Sequence, residues 1–357
     1  MLKLAVGTSN LRVFLKRLSK LLLVLLALVV LCLAGFRVAA GLRETETAES
    51  LAPDNGRFVD TAYGRIHVSL WGDETAPAVL FTHGMAAWGG LWRDVAEHVV
   101  SQGYRVIALD QAPFGYSDNT NRDFSRTAQA ERLKQVLDGL GINKVLLVGH
   151  SYGGGVTLEA ALRYPDRVSG LVLVCPVTGL MDAPEGGPSP AKSLPLPFRI
   201  PALAETGIAA SATNPLVTGP LMASFMHKTE MMTPEHVATI QAPFRRQGMT
   251  PAMASWFVQF IAGDPQAMSA QRDLVKANRV PVELIWGEMD TVTPIAQGED
   301  LAALMGIRQF ARMPGIGHMP QLEDPAAFKT ALSKGLQRLS TGTFSSWNLR
   351  GDVASAN

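Results

Sequence analysis

Short apolar runs alternate with segments of helical period along most of this chain. Ala78–Thr82, Arg105–Leu109, Lys144–Gly149, Val168–Val174, Val280–Trp286 and Gln309–Arg312 are compact and nearly continuous in apolar character. That is the pattern of strands buried on both faces of a parallel sheet. Between them, a segment through Val99, then Phe124–Leu140, Tyr152–Arg163, the stretch after Pro294 and Pro325–Leu339 read as helices, two of them punctuated by proline. Arg57–Thr61 and Arg65–Trp71 flank Tyr63-Gly64 as a hairpin would. Strands alternating with helices predict an α/β class with a mostly parallel sheet and helices on both faces. The alternation stops between about Pro176 and Asn278. This stretch begins rich in proline and glycine, continues as broken helical pieces and holds eight of the fourteen methionines. It reads as an inserted helical lid, with methionines such as Met222, Met226, Met231 and Met232 suited to ordinary packing or to an adaptable apolar wall over a pocket.

The N-terminus follows a different pattern. Lys3, Arg12, Lys16, Arg17 and Lys20 precede Leu21–Phe36, sixteen residues without a charge, and Glu44, Glu46 and Glu49 follow. Arg37 interrupts the run near its end, where a long side chain can snorkel to the interface. The charge order predicts a transmembrane anchor over residues 21–42, with the N-terminus cytoplasmic and the remainder exported. The alternative is a secreted or periplasmic protein released by cleavage after Val38-Ala39-Ala40. The expected organisation is a basic segment (1–20), the anchor (21–42), a polar linker (43–56), an α/β domain (57–339) with its lid at 176–278, and a disordered tail (340–357).

Composition narrows the function mainly by exclusion. A net charge of +1 over 357 residues supplies no field for nucleic acid. Cys32 and Cys175 are the only cysteines, one in the apolar segment and one after a strand, so no structural disulfide is expected.

The chemistry centres on Gly149-His150-Ser151-Tyr152-Gly153, a G-x-S-x-G pattern between a strand and a helix. So sharp a junction strains the serine backbone, lifts its hydroxyl at the carboxyl edge of the sheet and requires glycines where strand and helix approach. A serine hydroxyl needs a base, and the base an orienting acid. His318 stands in the glycine-rich loop MPGIGHMPQLEDP after the final strand; His67, His98, His227 and His236 sit less favourably, and His150 reads as a packing residue. In VELIWGEMDTVTP, Asp290 is the leading acid, with Glu288 able to satisfy turn amides and Asp182 the alternative one strand earlier. The loop FTHGMAAWGG follows a strand directly, so the backbone amides of Met85 and Tyr152 are the oxyanion candidates, with His83 orienting the loop.

Taken together, His83-Gly84, ALDQAPFGYSD, GHSYGG, WGEMD and GHMPQLEDP resemble the α/β-hydrolase superfamily over about Gly56–Leu339. The resemblance implies eight strands, a lid between strands six and seven and no cofactor; no metal site is expected. Ala112-Pro113 departs from the commoner Pro-Gly-Phe-Gly form, a change of turn rather than of chemistry. Serine at the elbow argues against dehalogenases and epoxide hydrolases, which use aspartate there. The expected activity is hydrolysis of apolar carboxylic esters through a Ser-His-Asp triad, with a small-molecule ester and membrane lipid as partners, as in an anchored esterase or lipase-like member. The alternatives are a carbon–carbon bond hydrolase, against which the apolar MAAWGG loop speaks, and a proline-iminopeptidase-like amidase with Glu205, Glu230 or Glu235 holding an amine. More remote is a tethered binding protein without catalysis.

Overall fold

The computed structural model describes residues 4–180 and 192–342; Asp182, the opening of the expected lid and most of the expected tail lie outside the described residues. Leu4–Arg43 is one continuous helix (α1), so the basic segment and the apolar run form a single rod. At ~1.5 Å per residue its forty residues extend about 60 Å. Within it, Val13–Arg43 has a mean hydropathy of 2.8 over its most apolar window, none of it buried, and is long and apolar enough to cross a membrane.

The segment expected as a linker is folded instead. It carries a one-turn helix, Ala48–Leu51 (α2), started by the Thr47 hydroxyl, which accepts from the Ser50 N–H. The Glu46 N–H donates to the Arg245 carbonyl (3.1 Å) and the Gln247 N–H to the Glu46 carbonyl (2.8 Å). A polar stretch with backbone partners this far along the chain has no reason to remain extended.

The hairpin follows as Gly56–Thr61 (β1) and Gly64–Trp71 (β2), turning at Gly64 with φ +101°. Then come Ala78–Thr82 (β3), Arg93–Val100 (α3), Arg105–Leu109 (β4), Arg126–Gly139 (α4), Val145–His150 (β5), Tyr152–Arg163 (α5) and Val168–Val174 (β6). The insertion contributes Pro201–Ala210 (α6), Pro215–Ala223 (α7), Pro234–Gln241 (α8), Met249–Ala262 (α9) and Arg272–Lys276 (α10). Val282–Gly287 (β7), Ile295–Met305 (α11), Ala311–Met313 (β8), Pro320–Glu323 (α12) and Pro325–Thr341 (α13) complete the chain. The last helix therefore runs just into the stretch expected as tail.

One eight-stranded sheet has the order β1-β2-β4-β3-β5-β6-β7-β8, antiparallel through β2/β4 and parallel from there on. β4, β5 and β7 are buried at every position and β6 at all but one, as their mostly apolar character requires, and the buried Glu283 of β7 is paired with Arg338. The lid departs from the sheet after β6 and returns at β7, so it stands over the carboxyl ends of the strands, where open α/β sheets place their ligands.

Candidate active site

β5 ends at His150, and α5 begins at Tyr152. Ser151 alone makes the turn, with φ 53° and ψ −122°, a left-handed backbone that a residue with a side chain adopts only under constraint. The constraint is the tight approach of strand, helix and neighbouring loop. A Cβ on Gly149 would lie 2.3 Å from the Thr157 hydroxyl oxygen, and one on Gly153 2.5 Å from the His83 carbonyl oxygen. Both positions require glycine for space.

The turn brings Ser151 to His318, whose loop follows β8. The two meet with Oγ 2.9 Å from Nε2. On the other edge of the imidazole, Nδ1 lies 2.8 Å from Asp290 Oδ2. A carboxylate only accepts, so Nδ1 carries the ring proton and Nε2 is left to accept from the serine hydroxyl. Asp290 is itself held: Oδ1 accepts from the Val292 and Thr293 amides, both at 2.8 Å, and Oδ2 from the Thr293 hydroxyl at 2.7 Å. Burial opposes its charge, but the bonds from His318 and Thr293 prevail and hold its pKa below the ordinary carboxylate value. All three residues are buried. Glu288, by contrast, is exposed, and its own backbone N–H donates to the Met313 carbonyl (3.1 Å).

The N–H groups of Met85 and Tyr152 donate to no described group of the protein, and both residues line the space around Ser151. Tyr152 opens α5, so the helix dipole adds to its N–H. His83 braces the facing loop: Nδ1 donates to the Gly84 carbonyl (2.8 Å) and Nε2 accepts from the Gln111 N–H (2.9 Å). Burial lowers its pKa, keeping it in the neutral form those two bonds require.

A family model for the alpha/beta hydrolase fold matches residues 77–325. The chain belongs to this family. Among its relatives, a 2-hydroxy-6-oxo-6-phenylhexa-2,4-dienoate hydrolase of Burkholderia cepacia is 29% identical over 274 residues, covering 74% of this chain and 88% of that protein. Two solved structures share the fold. A thermophilic esterase of Thermogutta terrifontis, 22% identical, aligns over 80% of this chain and 98% of its own with a TM-score of 0.62. A membrane phospholipase A, described as a bacterial virulence factor and also 22% identical, aligns over 92% of this chain and 99% of its own with a TM-score of 0.58. The protein is thus a hydrolase of this family.

Around Ser151, His318 and Asp290, the hydrolase carries one support that its sequence did not single out. Glu323 is buried; its Oε2 accepts from the amides of Gly317 (2.9 Å), His227 (2.9 Å) and Lys228 (3.0 Å), and Oε1 from Met319 (3.1 Å). One carboxylate thereby fixes both neighbours of His318 and ties them to the lid. Its only sequence signal was its place in the GHMPQLEDP stretch. His150 packs as expected, and its Nε2 donates to the His318 carbonyl (2.7 Å). Burial pushes its pKa down to about 3, with the nearby His318 adding to the shift. Cys175 Sγ lies close to the ligating atoms of Asp290 and His318, but burial raises its thiol pKa well above the ordinary value, and the other two are committed to each other. Such a protonated thiol is a poor metal ligand.

Two cavities meet at Ser151. One, of about 20 Å³, is walled by Leu91, Trp92, Met222, Phe225 and Met319, and admits a group the size of a water or a methyl. The other, of about 440 Å³, runs past Tyr152 to Val177, Phe260, Ile261 and Val292. Of the lid methionines for which packing and a pocket wall were both open, Met222 lines the smaller cavity, Met226 is buried in the core, and Met231 and Met232 pack against it.

Proposed function

We propose that this hydrolase cleaves carboxylic esters through an acyl-enzyme. Ser151 Oγ attacks the ester carbonyl while His318 Nε2 takes its proton, and Asp290 balances the charge of the imidazolium. The amides of Met85 and Tyr152 receive the developing oxyanion, and His318 returns the proton to the leaving alcohol. Water then repeats the sequence on the acyl-enzyme. The observation that carries this reading is the continuous contact from Ser151 through His318 to Asp290, at 2.9 and 2.8 Å, with the serine on a strained turn. Apolar residues in both cavities, Leu91, Met222 and Phe225 in one and Val177, Phe260 and Ile261 in the other, support a substrate with an apolar acyl body.

A second reading, hydrolysis of a carbon–carbon bond, is favoured by the dienoate hydrolase relative. The amidase reading has less support. Glu205 is paired with Arg37 (2.7 Å), and Glu205, Glu230 and Glu235 line neither cavity. We further place the protein at a membrane through α1, with the catalytic domain exported. Support comes from the apolar helix with its cations at the N-terminal end, and from the packing of its last turns on the protein itself. Ala40 is fully buried, and Arg37 bonds Glu205 of α6. Cleavage after Ala40 would remove both contacts.

The test is covalent labelling by a fluorophosphonate together with turnover of p-nitrophenyl esters of graded chain length. Wild type is expected to label and turn over; Ser151→Ala is expected to do neither while melting at the wild-type temperature. Turnover of a 2-hydroxy-6-oxodienoate with no turnover of esters would select the second reading. Labelling retained by the alanine variant would overturn both.

A further inference from the structure

Arg126 is a cation beside the nucleophile to which the ester mechanism gives no task. It opens α4, immediately after the Ser125 cap, and its side chain crosses beneath the loop that follows β6. The space there has been cleared for it. A Cβ on Gly179 would stand 2.8 Å from Nη1, and one on Gly155 3.2 Å from Nε. Nη1 donates to the Thr178 carbonyl, and the guanidinium forms no ion pair among the described residues. The two acids whose fields reach it are occupied. Asp264 accepts from the Thr127 amide and hydroxyl (3.3 Å each) and from the Gln266 amide (3.0 Å). Glu159 accepts from Arg163 and from the amides of Met268 (3.1 Å) and Ser269 (2.7 Å). Burial is the main influence on Arg126 and lowers its pKa, the mark of a charge short of solvent and of a close counter-ion.

Arg126 lines the same cavity of about 440 Å³ as Ser151 and Tyr152, together with Val177 and Phe260, and Lys192 and Asp264 add a second cation and an acid to the wall. The opposite cavity, at about 20 Å³, is much the smaller of the two. The bulk of the substrate therefore lies on the Arg126 side, along a wall in which Val177, Phe260, Ile261 and Val292 are apolar, Arg126 and Lys192 are cationic, and Asp264 is engaged by the Thr127 amide and hydroxyl and the Gln266 amide.

Building on the ester-hydrolase reading above, we propose that Arg126 forms an anion subsite and that the preferred esters are amphiphiles with an apolar body ending in a carboxylate or a phosphate. Guanidinium is suited to both, since its planar fork pairs two oxygens at once. Such a cavity favours the anionic ester over its neutral analogue, because only the anion can pair with a guanidinium that has no ion pair among the described residues.

Two ester pairs test this on the full-length protein in detergent: p-nitrophenyl pentanoate against mono-p-nitrophenyl adipate, and 1-butyrylglycerol against 1-butyrylglycerol 3-phosphate. The anionic member of at least one pair is expected to have the higher kcat/KM. Arg126→Gln is expected to lower that anionic-to-neutral ratio at least tenfold, with Arg126→Lys between the two. A change confined to the first pair identifies a carboxylate, and one confined to the second a phosphate headgroup. Calorimetric titration of the wild type and both variants with adipate and with inorganic phosphate reads the subsite without turnover. Ratios untouched by Arg126→Gln would overturn the proposal. So would the absence of anion binding by the wild type, a result that stands even if the glutamine variant fails to fold. Anion binding without hydrolysis of any ester would instead keep the subsite and defeat the ester reading.

Discussion

Replacing Asp290 with asparagine changes one atom and should nearly silence the enzyme. The carboxylate accepts four hydrogen bonds: from the Val292 and Thr293 amides on Oδ1, and from the Thr293 hydroxyl and His318 Nδ1 on Oδ2. The two amides belong to the same turn as Asp290 and must be met by an oxygen, so the carboxamide oxygen of the variant stays with them. Its NH₂ then faces His318. Nδ1 can only accept from it, the ring proton moves to Nε2, and Nε2 can no longer take the proton from Ser151. The imidazolium also loses its counter-charge. Loss of a triad aspartate with the geometry kept costs about 10⁴ in kcat, roughly 5 kcal/mol at ~1.4 kcal/mol per tenfold. KM should change little, because neither cavity touches the substituted atom. The assay is steady-state hydrolysis of a short p-nitrophenyl ester, with a thermal melt to show that the turn survives. Asp290→Asn within tenfold of wild type, melting normally, would refute the tautomer argument and move the acid elsewhere. Asp182→Asn would then be the variant to fall, whereas both it and Glu288→Gln are expected to keep wild-type rates.

Glu323→Gln removes the charge that four amides share; with charged hydrogen bonds contributing ~1.5–3 kcal/mol each and partial replacement by the amide oxygen, a loss of about 3 kcal/mol is expected. It should appear as a lower Tm with a fall in kcat larger than any rise in KM, and a wild-type melt would contradict it. His150 is held neutral down to about pH 3 when folded but protonates near ~6.5 when unfolded, so between these values the unfolded chain binds more protons and stability must fall as pH falls. Urea midpoints that stay level from pH 6.5 to 4, or fall just as steeply in His150→Gln, would count against that linkage. For the anchor, the full-length chain is expected in bacterial membranes after washing with high salt and carbonate, with its catalytic domain digested only by protease added outside the inner membrane; a soluble form beginning near Gly41 would show a cleaved signal instead.

The sheet was legible because its evidence is local. Residues such as Leu146–Val148 and Val172–Val174 are apolar without a polar face, and a strand buried on both sides has no other solution. Ser151 was legible for the same reason: the glycines that make room for it are two residues away on either side. Asp290 and His318 could be ranked from their places after strands, but their pairing depends on the parallel order β6-β7-β8, which brings two loops separated by 28 residues to one edge. Glu323 escaped notice because its partners at His227 and Lys228 lie almost a hundred residues earlier, in the lid. Arg126 could not be distinguished from any solvated arginine at a helix start, since what makes it unusual is a cavity built from segments spread between Met85 and Gln297.

The polar stretch after the apolar helix shows the same limit from the other side. Its composition is that of a slack tether, yet Glu44 is buried, and its carboxylate accepts from the Thr250 amide (3.0 Å) and hydroxyl. Gly248 begins α9 with no side chain to cap it, so the cap comes from a carboxylate two hundred residues away. The Thr250 hydroxyl also meets that of Thr213 (2.8 Å), which stands between α6 and α7. Arg37 reaches α6 from the last turns of α1, and Arg43 donates to the Phe244 carbonyl (3.3 Å). Four contacts therefore join the end of the apolar helix to the lid rather than to the sheet. α9, whose first turn Glu44 holds, carries Trp256 against Tyr152 (5.0 Å between ring centres) and Phe260 into the larger cavity. α1 and the residues just after it are thus tied to α6 and to the start of α9, and α9 is a wall of the space in which Ser151 stands.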